Sequence, residues 1–191
     1  MKQLEIEFKS LLGEKDYHRL CDHYQLAEKN FHTQTNVYFD TVDQQLQAQR
    51  CGLRIRKYAT HGEITLKTPQ AVGLLETTDQ LTLAETNHWI AAQSLPTTGA
   101  VATELAQRNI AIEDLTIIAE LTTKRAEFKI PEGLLALDES WYGTQHDYEL
   151  ELEVTDGTAG KVAFDKYLAD HHLSYLPAEN KIVRAVKQKS L

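Results

Sequence analysis

The sequence predicts an α+β fold, an eight-stranded antiparallel β-barrel with flanking helices. Three observations carry the prediction. Segments of apolar–polar alternation recur along the chain, short turns join most of them, and helical patterns are inserted at a few points. Such a meander removes its edges by closing on itself. The 191 residues suit one domain spanning 1–191, and 42% apolar content is enough for a sizeable core.

Leu4, Ile6 and Phe8 alternate with Glu5, Glu7 and Lys9, a period-2 strand. A helix is expected from Ser10 as N-cap, with Tyr17, Leu20, Cys21 and Tyr24 at helical spacing. Phe31 to Phe39 returns to strand composition. Leu53–Tyr58 and Ile64–Lys67 form a hairpin around Thr60-His61-Gly62. Leu75 to Leu83 is a weaker strand. Ala84–Leu95 and Ala100–Gln107 read as helices, with Pro96 and Gly99 in the connection between them. Strands are expected at Thr116–Leu121, Lys124–Ile130, Leu134–Glu139 and Tyr148–Val154. Helices follow around Phe164 to His171 and Ile182 to Val186. The total is eight or nine strands.

Net charge is -8, which argues against nucleic acid and anionic membrane surfaces as partners. Cys21 and Cys51 form neither a zinc pattern nor a disulfide framework. The start, Met1-Lys2-Gln3-Leu4-Glu5, has no apolar signal core, and no run approaches the roughly 20 apolar residues of a membrane span. The expected location is the cytoplasm.

The charges on the strands are ordered. Glu5, Glu7 and Lys9 share one strand face; Arg54 and Arg56 share another, facing Glu63, Thr65 and Lys67; Glu149, Glu151 and Glu153 share a third. Alternate residues lie about 7 Å apart on one face, and the residues between them are apolar. Two arrangements fit. In the common one, apolar faces point inward and charges meet solvent. In the inverted one, charges line a barrel interior and the apolar faces lie under the helices. The segregation of charge favours a ligand. Clustered carboxylates suit hard divalent cations, and clustered arginines suit phosphate oxygens.

Glu5-Ile6-Glu7-Phe8-Lys9 resembles the ExExK signature of the CYTH, or triphosphate tunnel metalloenzyme, superfamily. Further elements follow in the family's order: Tyr38-Phe39-Asp40, Leu53-Arg54-Ile55-Arg56, Thr65-Leu66-Lys67, Thr123-Lys124-Arg125, Leu137-Asp138, Tyr148 to Glu153, then Lys181 and Arg184. The likeness covers nearly the whole chain and is greatest to the short, single-domain bacterial members. It implies a tunnel of eight strands with charged walls. By this resemblance Glu5 and Glu7 are metal ligands, with Glu149 and Glu151 opposite and Asp138 a further candidate. Glu153 gives the late strand one more carboxylate than a two-Glu motif needs, so the pair used is open. Lys9, Arg54, Arg56, Lys67 and Arg125 are implied phosphate binders, with Lys124 the alternative to Arg125. Lys181 and Arg184 are placed near a tunnel mouth.

The implied activity is hydrolysis of a small-molecule triphosphate with Mg²⁺ or Mn²⁺, with Lys9, Arg54, Arg56 and Lys67 as the catalytic cations. Inorganic tripolyphosphate, thiamine triphosphate and a nucleotide remain candidate substrates. A class IV adenylate cyclase and a non-catalytic polyphosphate- or nucleotide-binding module are the alternatives. Cyclisation needs a held purine, and no aromatic-plus-amide cluster is legible, so hydrolysis is favoured. The pairs His18/His23 and His171/His172 read as helix surface, Trp89, Trp141, Tyr38 and Tyr148 as packing, and Asp40 as a strand-ending turn residue or an arginine partner. No P-loop exists, and Ser10 and Ser140 lack a legible catalytic partnership.

Overall fold

Eight strands close into one barrel in the computed structural model of the protein, which describes residues 1–189. They are β1 (Lys2–Leu12), β2 (Phe31–Thr41), β3 (Gly52–Lys57), β4 (His61–Pro69), β5 (Leu74–Thr82), β6 (Leu115–Ile130), β7 (Gly133–Tyr142) and β8 (Gln145–Val154). Their order around the barrel is β1-β5-β4-β3-β2-β6-β7-β8, antiparallel throughout. Six helices accompany them: α1 (Glu14–His23), α2 (Gln45–Ala48), α3 (Leu83–Ala92), α4 (Ala100–Gln107), α5 (Gly157–Asp170) and α6 (Lys181–Lys189). No described helix is long and apolar enough to cross a membrane.

The barrel is inverted. Its two main apolar clusters lie outside the strands, under the helices. Val37, Phe39, Leu53, Ile55, Ile64 and Leu66 of β2–β4 pack with Val101 and Leu105 of α4 and with Trp89 and Ile90 of α3. Leu135, Leu137, Leu150 and Leu152 of β7–β8 pack with Tyr17 and Leu20 of α1 and with Phe164, Tyr167 and Leu168 of α5. Each fully buried aliphatic or aromatic side chain contributes roughly 1.5–3 kcal/mol. Because side chains alternate, covering this outer set turns the intervening charges inward. A third cluster lies at one end of the barrel, where Ala185 of α6 meets Tyr38, Ala119, Leu121 and Tyr142. That helix closes the end.

Three sequence expectations need correction. Ser10 does not cap a helix. β1 runs on to Leu12, and α1 starts at Glu14 with Gly13 as N-cap. The buried Ser10 hydroxyl instead accepts the Leu176 N–H at 2.9 Å, fixing the segment that leads to α6. Thr116–Leu121 and Lys124–Ile130 are one strand, β6. Its Thr122-Thr123 pair keeps strand conformation, and the irregularity lies between Tyr38 and Phe39 in the β2 register. The expected helix around Phe164 starts earlier, at Gly157, capped by the Asp156 carboxylate on the Ala159 N–H at 2.7 Å.

Candidate active site

The interior is built from the inward residues of all eight strands. Strand register places Asn36 against Arg56, Tyr38 against Arg54, Arg54 against Thr65 and Arg56 against Glu63. On the far wall Arg125 faces Asp138, and Asp138 faces Glu149. Between these walls β1 meets β8, with Glu7 opposite Glu153 and Lys9 opposite Glu151. Apart from Lys124, every candidate named from the sequence on β1, β3, β4, β6, β7 and β8 therefore faces one interior. Lys181 and Arg184 reach it from α6.

The carboxylates of β7 and β8 are bridged by cations. Arg125 donates to both oxygens of Asp138, at 2.7 and 2.6 Å, and also to Glu151. Lys181 Nζ lies 2.8 Å from Asp138, 3.1 Å from Glu149 and 2.5 Å from Glu151. Arg184 pairs with Asp147 at 2.6 Å and with Glu149. Burial alone would raise the Glu151 pKa, but Arg125 and Lys181 hold it well below the usual carboxylate range. Asp138 is held low in the same way, against its complete burial. Glu149 behaves differently. Burial outweighs Lys181 and Arg184 and pushes its pKa up to about 7, and its Oε1 has no partner among the described residues.

Along β1 the balance is looser. Lys67 lies 2.5 Å from Glu5 and 2.8 Å from Glu76, while Lys9 lies 3.2 Å from Glu7 and donates to Asn180 at 2.7 Å. Burial, and then Glu151, raise the pKa of Glu7. Burial, and then Glu5, raise that of Glu153. Glu7 and Glu153 are direct cross-strand partners, a placement in which like charges destabilise.

The arginine wall shows the opposite imbalance. Arg54 has Glu76 at 3.8 Å, and its Nε is unpartnered among the described residues. Arg56 donates to Asn36 at 2.9 Å and stands 3.6 Å from Glu63. Its pKa is lowered by burial first and by the neighbouring Arg54 second. This is a desolvated cationic patch whose carboxylate partners, Glu76 and Glu63, stand off at 3.8 and 3.6 Å.

As they stand, no three His, Cys, Asp or Glu residues among the described residues are arranged to hold a metal ion. Lys67, Lys9 and Lys181 stand between the carboxylates. The donor chemistry nonetheless suits a hard cation. The candidate donors are oxygens only, and the Glu7–Glu153 pair lacks full compensation.

A family model for the CYTH domain matches residues 3–186. The chain belongs to the CYTH family. It is similar to a Bacillus subtilis protein named "Putative triphosphatase YjbK", with 36% identity over 188 residues, 98% of this chain and 97% of the relative. Among solved CYTH-like folds, it superposes on a Bacillus halodurans protein described as a "putative adenylate cyclase" with a TM-score of 0.90 and 38% identity, covering 96% and 97% of the two chains. A Hippeastrum protein described as a "putative adenylyl cyclase" that reveals a dominant triphosphatase activity shares the fold with a TM-score of 0.79 at 22% identity, covering 98% and 97%.

Within this CYTH tunnel, Lys124 points outward to Glu28 at 2.7 Å and lies over the Phe31 ring, so the inward basic residue is Arg125. Asp40 acts as the turn residue, accepting the backbone N–H groups of Thr41, Leu46 and Gln47. Sequence reading missed Glu76, Asn36 and Asp147, which hold the basic side chains. Parity could have found Glu76, which pairs with Lys67 across β4–β5. It also missed a group at the end of the tunnel away from α6. There the rings of Tyr58 and His61 stack at 4.5 Å and 18°, with His32 6.0 Å from Tyr58.

Proposed function

We propose that the protein hydrolyses a small-molecule triphosphate inside the tunnel, with Mg²⁺ or Mn²⁺ as cofactor, and that the domain comprises the whole of residues 1–191. The observation that carries this reading is the desolvated Arg54–Arg56 patch, whose carboxylates stand off at 3.8 and 3.6 Å, in the same interior as the carboxylates of β1, β7 and β8. An extended triphosphate with a divalent cation offers close oxygens to the guanidinium groups and a harder partner to the carboxylates.

Arg54, Arg56, Lys67 and Arg125 hold the phosphate oxygens, with Lys9 nearest the carboxylates of β1 and β8. Guanidinium groups suit this role because they bind phosphate in a bidentate fork. Glu5 and Glu7 hold the cation together with Glu153, which faces Glu7, and Glu151 on the same strand face. Glu149 and Asp138 belong with the α6 cations Lys181 and Arg184, which orient the end of the chain nearest that helix. When bound, the cation neutralises phosphate charge and lowers the pKa of a nearby water. Phosphoryl transfer asks little covalent chemistry of a protein, and fixed charges that hold the chain in line supply most of what is needed. The relative named as a triphosphatase supports hydrolysis over cyclisation.

The test is a panel of triphosphates with Mg²⁺ and Mn²⁺, following phosphate, pyrophosphate and cyclic AMP together. Phosphate is the expected product. Cyclic AMP and pyrophosphate as main products would establish a cyclase. Tight binding without release would establish a binding module.

A further inference from the structure

Three polar ties hold α6 against the end of the barrel. In the first, Lys181 stands among Asp138, Glu149 and Glu151. In the second, Lys9 donates to Asn180, whose carbonyl accepts the Val183 and Arg184 N–H groups at 2.9 and 3.1 Å where the helix begins. Both ties use lysines proposed above to meet the phosphate chain, so both would change partners when a triphosphate binds. The third joins Arg184 to Asp147 and Tyr142 of the β7–β8 hairpin, and neither of these belongs to the proposed ligands of metal or phosphate.

The geometry of this third tie is specific. Strand parity puts Tyr142 on the same face of β7 as Asp138, and Asp147 on the same face of β8 as Glu149. Asp147 Oδ2 accepts from two sides, from Arg184 Nη1 at 2.6 Å and from the Tyr142 hydroxyl. Arg184 Nη2 donates to Glu149. The guanidinium also lies over the Tyr142 ring, 5.9 Å from its centroid, and Ala185 packs on the same tyrosine. Arg184 and Tyr142 are both buried. A planar fork held through both Nη atoms and backed by a ring is fixed in orientation, whereas an ammonium such as that of Lys181 can swivel. Lys181 lies three residues before Arg184, on the same side of the helix. Holding Arg184 therefore sets the rotation and height of α6, and with them the place of the Lys181 side chain.

We propose that Asp147 and Tyr142 are positioning residues for triphosphate hydrolysis: they fix Arg184, and through it hold α6 in the register that presents Lys181 to the phosphate chain. The proposal rests on the triphosphate reading above and deepens it. Neither residue touches substrate. Their tie persists while Lys9 and Lys181 exchange carboxylates for phosphate, so α6 keeps its place through that exchange. A tie that merely stabilised the helix would be equivalent to any other on it. Lys187 provides the comparison, since it reaches both oxygens of Glu179 at 2.6 and 2.7 Å from an exposed position remote from the carboxylates of β7 and β8.

The test measures kcat and KM for inorganic tripolyphosphate with Mg²⁺, and the melting temperature, for the wild type and for Asp147→Asn, Asp147→Glu, Tyr142→Phe and Lys187→Ala. Losing a charge-assisted bond predicts a KM about tenfold higher in Asp147→Asn. Binding lost equally from substrate and transition state leaves kcat within about twofold. Asp147→Glu, which restores the carboxylate, is expected to recover part of the loss. Tyr142→Phe keeps the ring and removes one of the two donors, so its KM is expected to rise by about threefold. Lys187→Ala is expected to keep the wild-type KM at whatever melting temperature it shows. Wild-type KM in folded Asp147→Asn, or a KM in Lys187→Ala raised as far as in Asp147→Asn, would overturn the positioning role and leave the tunnel reading intact. Should Asp147→Asn fail to fold, wild-type KM in Tyr142→Phe would overturn it. No phosphate release by the wild type would overturn both.

Discussion

Arg56 and Glu7 represent the two imbalances of the tunnel, and each leads to a prediction. Arg56 is desolvated beside Arg54 and stands 3.6 Å from its nearest carboxylate partner. Its guanidinium should meet an inner phosphate that a monophosphate does not reach. Arg56→Ala is predicted to weaken tripolyphosphate binding by about 1.5–3 kcal/mol and phosphate binding far less, measured by calorimetry. Equal weakening of both would remove the chain-length argument. Glu7 carries a carboxylate whose pKa is raised by burial and then by Glu151. The folded protein therefore retains a proton there that the unfolded chain has released. The sign follows: stability is lost as pH rises through and above the ordinary carboxylate range near 4.3. Glu7→Gln is predicted to abolish metal-dependent turnover while making the metal-free protein more stable than wild type at pH 8, with the difference vanishing near pH 4. Urea unfolding in a chelator at both pH values checks this, and a folded variant with normal activity would remove Glu7 from the metal site.

At the scale of elements, β6 decides which basic residue of Lys124-Arg125 enters the tunnel. Lys124 lies outside with Glu28 and Phe31, and Arg125 lies inside with Asp138 and Glu151. Arg125→Ala is predicted to cost about 3–5 kcal/mol of stability or most of the activity, because it leaves buried Asp138 short of a partner, whereas Lys124→Ala should change stability by under about 1 kcal/mol. Thermal unfolding and steady-state rates of the two variants measure the contrast. The same strand shows what sequence can carry. Period-2 alternation in Leu53-Arg54-Ile55-Arg56 and in Tyr148 to Glu153 identified strands and which residues share a face. It did not say which face is inside, because alternation is identical for a solvated sheet and an inverted barrel. The amphipathic helices supplied that information. The Tyr58–His61–His32 group was illegible because its members come from the ends of three strands, and only register brings them together. Ser10 misled because a serine ahead of a helical pattern resembles a cap, while its strand partners continue through Leu12.

For the molecule as a whole, Lys67, Lys9 and Lys181 stand beside the carboxylates proposed to hold a cation. A metal alone must displace these lysines, and a triphosphate alone must approach the carboxylates. Bound together they would exchange partners, the lysines meeting phosphate and the carboxylates the cation. Mg²⁺ and tripolyphosphate are therefore predicted to raise the melting temperature jointly by more than the sum of their separate effects, as linkage requires for cooperative binding to the folded state. Strict additivity in a thermal-shift matrix would contradict this exchange. The central claim, that this inverted barrel is a metal-dependent triphosphatase, is tested most directly by the initial rate of phosphate release from inorganic tripolyphosphate. The account predicts release with Mg²⁺ or Mn²⁺, none in excess chelator, and recovery when the metal is restored. Release that persists in chelator, or no release with either metal, would contradict it.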